Sequence, residues 1–293
     1  MQTLTEKRVF GAKSATTDVY VACEMGLVVV TVSADQIGEF GLVHREAVSA
    51  VTVDGDRVVI GTDDGVRVSE RRTDVDAVAD RPFRSIPHDS VGCVVAAGTG
   101  PTGPLVAGAE GGVFRVESDA LVHVGDADDV RAIDGGLLAA ADGVFRVGDD
   151  GLTHVGLDDV RDVVGHGVPL AATAAGLFLL GNGWLSIRSA PFDRVAGDGH
   201  GHAVAVSDDG LLRHAGDDSV SADTSWVDES LPLAESVVDV AYGGGILAAI
   251  TDQGTLCVDA GDGWRTQPLG VRGVRALAVG SGRTGERGNR NRV

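Results

Sequence analysis

The segment GVFRVESDALVHVG, residues 112–125, returns as GVFRVGDDGLTHVG at residues 143–156, with ten of fourteen positions identical. A chain that repeats itself at so short an interval is built from units too small to bury their own apolar surface. Such units are stable only when stacked on copies of themselves. The repeat therefore constrains the fold before any other feature does.

A looser form of the same unit covers most of the chain. An apolar run closing on small residues is followed by a short acidic or small turn, a glycine and a second apolar run. It reads VYVACEMGLVVV at 19–30, RVVIGTDDGVRV at 57–68, PLVAGAEGGVFRV at 104–116 and LLAAADGVFRV at 137–147. It continues as PLAATAAGLFLL at 169–180, HAVAVSDDGLLRH at 202–214 and ILAAITDQGTLCV at 246–258. The anchor glycines are Gly26, Gly65, Gly112, Gly143, Gly176, Gly210 and Gly254, on average 38 residues apart. Flanks of about five residues rich in Val, Leu and Ala are strand-like. A glycine after an acidic turn supplies the positive φ that a tight hairpin needs. Each unit is thus a β-hairpin.

Further runs precede the hairpins, at 47–53, 91–97, 130–133, 160–164 and 237–242, and others follow them, as in ALVHVG, GLTHVG, GWLSIR and GWRTQPL. Four short strands in about 40 residues is the period of a β-propeller blade. The first hairpin has no run before it, whereas GVRALAVG at 273–280 is an inner strand with no hairpin after it. The expectation is an all-β, seven-bladed propeller of four-stranded blades, in which the C-terminal strand completes the first blade and closes the ring. The domains follow as an N-terminal extension (1–16), the propeller (17–280) and an arginine-rich tail (281–293) with the composition of a disordered arm.

Composition narrows function mainly by exclusion. Acidic residues outnumber basic ones 43 to 24, for a net charge of −19; there are 33 Asp, 22 Arg and only two lysines, Lys7 and Lys13. Carboxylates scattered through every turn match proteins adapted to concentrated salt, which screens their mutual repulsion. The competing explanation is an acidic surface serving a basic partner. A body this acidic repels phosphate, so duplex nucleic acid is not the expected ligand. The longest apolar stretch, residues 168–181, is too short to span a bilayer. The N-terminus has no signal-peptide core. Cys23, Cys93 and Cys257 sit in apolar runs and read as buried free thiols. A cytoplasmic location is expected, with no cofactor and no membrane.

The acidic, lysine-poor blades resemble an uncharacterised haloarchaeal β-propeller family, a similarity of repeat style over residues 17–280. That resemblance implies a cytoplasmic propeller with no established activity. Other propeller families fit less well. The Trp-Asp blade ending is absent, and the sialidase Asp-box is incomplete in GDDGLTHV, GNGWLSI and GDGWRTQ.

Four constellations are candidates for chemistry. The turn carboxylates Glu24, Asp63, Asp64, Glu110, Asp142, Asp208, Asp209 and Asp252 would ring one face. They would bind cations or a basic partner, or serve only turn geometry and solvation. Arg131, Arg161 and Arg275 begin inner strands, with Asp129 and Asp159 beside the first two. They would either converge on an anion at the channel mouth or fasten neighbouring blades through Arg–Asp pairs. His166, His200 and His202 are weak metal-ligand candidates, because no carboxylate is spaced to support them; the repeat-equivalent His123 and His154 would lie a blade apart. Arg283, Arg290 and Arg292, with a fourth arginine counted at position 288, make the tail a candidate arm for RNA or an acidic partner. No GxSxG, HExxH, CxxC or P-loop occurs. The resulting expectation is a non-enzymatic scaffold or complex subunit binding an unidentified protein. The alternative is an enzyme or small-anion binder at the channel mouth.

Overall fold

The computed structural model describes residues 16–34, 36–70, 82–88, 91–215, 220 and 226–280. They form seven four-stranded antiparallel sheets, each ordered from an inner to an outer strand. The inner strands of blades 1 to 7 are Val274–Val279, Ala50–Asp54, Val94–Gly98, Val130–Asp134, Val160–Val164, Arg194–Gly197 and Val237–Gly243. Six of them fall in the apolar runs of the sequence. The sixth blade's strand, RVAG, is four residues long and opens on a charge, so no apolar run announces it.

The ring closes as expected. The strand Val274–Val279 pairs antiparallel with Thr16–Cys23, from Val19↔Val279 to Cys23↔Val274. Backbone bonds secure both ends of this junction, Gly280 N–H to Asp18 O at 2.8 Å and Glu24 N–H to Gly273 O at 3.1 Å. At the same seam Thr17 Oγ1 donates to Gly244 O of blade 7 at 3.3 Å.

The second strands show why closure is needed. Leu105–Gly108, Leu137–Ala140, Leu170–Thr173 and Ile246–Thr251 are buried at every residue. A strand covered on both faces reads as a continuous apolar run, and in a propeller only the two neighbouring blades can supply that cover. The apolar side chains accordingly fall into seven clusters, one in each seam between adjacent blades. The outer strands Trp184–Arg188 and Trp264–Pro268 are largely exposed.

Glycine marks the tight places. Gly26, at φ +133°, closes the first hairpin, and a Cβ there would lie 1.8 Å from His44 O. Gly98 ends an inner strand, where a Cβ would lie 1.8 Å from Ile133 O of the next blade. Two anchors differ from expectation: in blade 3 the positive φ belongs to Gly111 rather than Gly112, and Gly176 has none. One cysteine also departs from the reading as buried thiols. Cys23 and Cys257 are buried, but Cys93 is partly exposed, with Sγ 3.5 Å from Asp63 Oδ1.

Leu277, on the closing strand, lies in the seam between blades 7 and 1. Leu277→Ala should cost about 2–5 kcal/mol. A chain ending at Gly273 should lose cooperative unfolding, while one ending at Gly280 should melt like the full chain. Thermal melts followed by circular dichroism separate the three; an unchanged melt for the Gly273 chain would contradict closure by this strand.

Candidate functional site at the central channel

Strand direction alternates within each blade, so the starts of the inner strands share a face with the hairpin turns. This hairpin face carries Arg131, Arg161 and Arg275, and all three occupy the same irregularity. Pairing skips from Val130 to Ala132, from Val160 to Asp162 and from Val274 to Ala276, leaving each arginine as the extra residue of a bulge. The bulge is preceded by a left-handed residue, Asp129 (φ 51°), Asp159 (φ 48°) or Gly273 (φ 59°).

Arg131 and Arg275 both line the cavity between the inner strands, and each of the three arginines has a carboxylate neighbour. Arg131 donates from Nε to Asp129 Oδ2 at 3.0 Å and from NH1 to Asp159 Oδ1, on the next blade, at 2.6 Å. Arg161 repeats the pattern one blade on, with NH1 to Asp193 Oδ1 at 2.5 Å. Arg275 lies 3.8 Å from Glu24 Oε1 of its own blade. The Arg131 hydrogen bond holds the Asp159 carboxyl below its ordinary range. Reciprocally, the bond to Asp159 pushes the Arg131 guanidinium higher still. Of the two arrangements considered for these arginines, blade-to-blade pairing describes Arg131 and Arg161.

The channel wall holds a second charged group that the sequence pattern did not single out. A cavity of about 340 Å³ runs between the inner strands and is lined in part by Asp162, Arg194 and Asp239, from blades 5, 6 and 7. Asp162 Oδ1 accepts from Val163 N–H and Oδ2 from Val195 N–H of blade 6, both at 2.9 Å. Asp239 does the same two seams further on, with Val240 N–H at 2.9 Å and Leu277 N–H of blade 1 at 2.7 Å. Arg194 Nε stands 3.8 Å from Asp239 Oδ1. The equivalent positions in blades 1, 3 and 4 are Ala276, Ala96 and Ala132, fixed by the shared bulge. The signal available in the sequence was a carboxylate inside an apolar inner strand, in VRDVV and VVDVAY. Burial pushes the Asp162 carboxyl up to about 7, against the pull of the Arg194 charge and with a push from Asp239. Asp239 is raised by burial as well.

The histidines lie on the opposite face, in the turns that end the inner strands of blades 5 and 6. Here the expectation of no supporting carboxylate is corrected. His166 Nδ1 is 2.9 Å from Asp134 Oδ2, and His202 Nδ1 is 2.7 Å from Asp198 Oδ2. His200 Nδ1 is 2.8 Å from Asp198 O. These partners escaped a reading by local spacing because Asp134 arrives from another blade and Asp198 folds back within its own glycine-rich turn. The hydrogen bond to Asp134 raises His166 above its ordinary value. All three rings line one cleft of about 270 Å³. His123 and His154 lie on neighbouring blades, each packed on a phenylalanine with ring centroids 5.2 Å apart.

The tail candidates need one correction. Position 288 is occupied by Gly288, not arginine; the fourth arginine of the tail is its neighbour Arg287. The arm keeps its four positive charges, but Gly288 has no side chain with which to contact a partner. Arg283, Arg287, Gly288, Arg290 and Arg292 all fall outside the described residues.

A model of the Beta-prop_HVO_0234-like β-propeller family matches residues 3–280. The chain belongs to that family. No curated protein matches it. Among solved structures, this HVO_0234-like propeller is similar to one in the nidogen/laminin complex, with 8% identity over 90% of this chain and 98% of the other and a TM-score of 0.56. It is also similar to the WD40 propeller domain of Doa1 (14% identity, 78% and 85% covered, TM-score 0.58). A third likeness is the extracellular domain of the one-component system BT4673 from B. thetaiotaomicron (13% identity, 85% and 38% covered, TM-score 0.58). At these identities the likeness is one of fold. Among the described residues, no helix is long and apolar enough to cross a membrane.

The channel carboxylate generates a test. The folded protein holds the Asp162 proton up to about pH 7, while the unfolded chain releases it near pH 4. Between those values the native state binds more protons, so stability falls as pH rises. Asp162→Asn cannot titrate. The melting temperature of the wild type relative to D162N should therefore decline between pH 5 and pH 8 at fixed high salt. A constant difference would show that Asp162 stays ionised throughout.

Proposed function

We propose that this HVO_0234-like propeller is a non-catalytic scaffold or complex subunit that binds a protein partner in the cytoplasm of a salt-adapted cell. One observation carries the reading: Arg131, Arg161, Asp162 and Asp239 are engaged within the wall that carries them. Arg131 and Arg161 are paired to carboxylates of the following blade, and Asp162 and Asp239 accept backbone N–H groups of the following blade. Groups held this way fasten seams. The chemistry left for recognition lies on the faces, where the hairpin turns present Glu24, Asp63, Asp64, Glu110, Asp142, Asp208, Asp209 and Asp252. A basic protein surface complements such a ring.

The second reading, a small-anion binder at the channel mouth, is favoured by Arg275, which lines the central cavity together with Arg131. Its side chain is 54% exposed, and its carboxylate neighbour stands at the long distance of 3.8 Å. Under that reading a carboxylate or phosphate ligand stabilises the protein, and replacing Arg131, Arg161 and Arg275 by alanine abolishes the stabilisation. An RNA or acidic-partner role for residues 281–293 is a third reading and would disappear in a chain ending at Gly280.

Affinity purification at near-cytoplasmic salt tests the scaffold reading. The full chain, the chain ending at Gly280 and a charge-neutralised hairpin-face variant (Asp63→Asn, Asp64→Asn, Asp208→Asn, Asp209→Asn) are compared by quantitative mass spectrometry. A stoichiometric partner retained by the truncated chain and lost by the face variant is expected. A monomer without a stoichiometric partner would overturn the proposal. The salt-adapted part has its own test. With a net charge of −19 and a Debye length of about 3 Å at 1 M salt, melting temperature should climb steeply between 0.1 and 2 M KCl; a flat response would remove it.

A further inference from the structure

We propose that the central cavity binds a small zwitterion of amino-acid size, its anionic end at Arg275 on the hairpin-face mouth and its ammonium end at Asp162 and Asp239 further in. The inference rests on the channel-mouth reading, whose ligand class it names, and is independent of any scaffold role.

The charge of the lining carries the assignment. Three arginines, Arg131, Arg194 and Arg275, line the cavity together with three aspartates, Asp134, Asp162 and Asp239. A ligand with one charge of either sign upsets that balance, whereas a neutral molecule carrying both preserves it. The signs are also layered along the channel. Arg131 and Arg275 are the extra residues of bulges at the hairpin-face mouth, and Asp162 and Asp239 directly follow the bulges of blades 5 and 7, one step further in. The carboxylate neighbours of the mouth arginines, Asp129, Asp159 and Glu24, are not among the residues that line the cavity.

Being held in the wall orients the carboxylates without exhausting them. An ionised carboxylate has about four acceptor positions. Among the described residues, Asp162 and Asp239 each accept two hydrogen bonds, all from backbone N–H groups. Asp162 is only 8% exposed, and a charge so deeply buried is costly unless a cation pairs with it. Arg194 stands nearest Asp239, at 3.8 Å, and makes no hydrogen bond to Asp162. A ligand ammonium, with up to three donors, supplies what both carboxylates lack. The rest of the wall suits a short carbon chain. Where blades 4, 5 and 1 carry an arginine in the bulge, blade 3 carries Val95, which lines the cavity and is 39% exposed. Ala96, Ala132 and Ala276 line it at the level of the aspartates. A volume of about 340 Å³ is at the small end of ligand pockets.

The experiment titrates the full chain by calorimetry with glycine, β-alanine, γ-aminobutyrate and δ-aminovalerate, a series in which the two charges move steadily apart. One KCl concentration is used throughout, at pH 8, above the value of about 7 to which burial lifts Asp162. Butyrate and n-butylamine, each with one of the two charges, are the controls. At least one zwitterion is expected to bind with one equivalent per chain, at least tenfold tighter than either control. Arg275→Ala and Asp162→Asn should each weaken that binding at least tenfold. Circular dichroism identifies an Asp162→Asn chain that fails to fold, and Asp239→Asn then takes its place; Arg275 is exposed, so its variant tests the site without burdening the core. Butyrate binding as tightly as every zwitterion, and lost in Arg275→Ala, would overturn the inference while leaving the small-anion reading in place. Binding of none of the probes would overturn both. Zwitterion binding unchanged in the folded variants would overturn the site.

Discussion

A blade of this protein cannot cover itself, and the rest of the structure depends on that. The second strand of a blade is apolar on both faces, as LVAG at 105–108 and LAAT at 170–173 illustrate. Burying about 25 cal/mol per Å² of apolar surface is the main source of stability, and here that surface meets its cover in the next blade. The core is consequently a ring of seven seams. An open arc would leave two apolar faces and an inner-strand edge in water, so the final strand returns to pair with Thr16–Cys23.

Polar groups follow the same logic. A carboxylate inside a sheet wall costs free energy unless its oxygens are hydrogen-bonded. Asp162 and Asp239 meet that condition by bridging each to the next blade's backbone. The arginine bulges on the hairpin face tie blade 4 to blade 5 and blade 5 to blade 6. At a seam further out, Arg213 reaches Asp259 at 2.5 Å, and Trp264 Nε1 donates to Glu229 Oε1 at 2.7 Å. An Arg beside an Asp, or an Asp in a channel, here makes hydrogen bonds across a seam to the next blade.

The architecture was legible because periodicity and hairpin turns are local. GVFRV followed by an acidic turn and THVG specifies strands, a turn and a repeat length without reference to any distant residue. Even closure could be read, because one inner strand was missing at the start of the chain and one was left over at its end. The short RVAG strand of blade 6 and the exposure of Cys93 were not legible: in both, burial is set by neighbours that local pattern does not name.

What the sequence determined by itself was thus the unit, its number and the way the ring shuts, all of which follow from spacing along the chain. The partners that charged side chains find on neighbouring blades were decided by tertiary structure. Asp134 lies 32 residues before His166, Arg131 lies 28 before Asp159, and Asp239 lies 38 before Leu277. Each separation is near one repeat, the distance along the chain that stacking turns into direct contact. A repeated sequence fixes that neighbouring blades touch; which nitrogen meets which oxygen depends on bulges and left-handed turns that only the assembled ring defines.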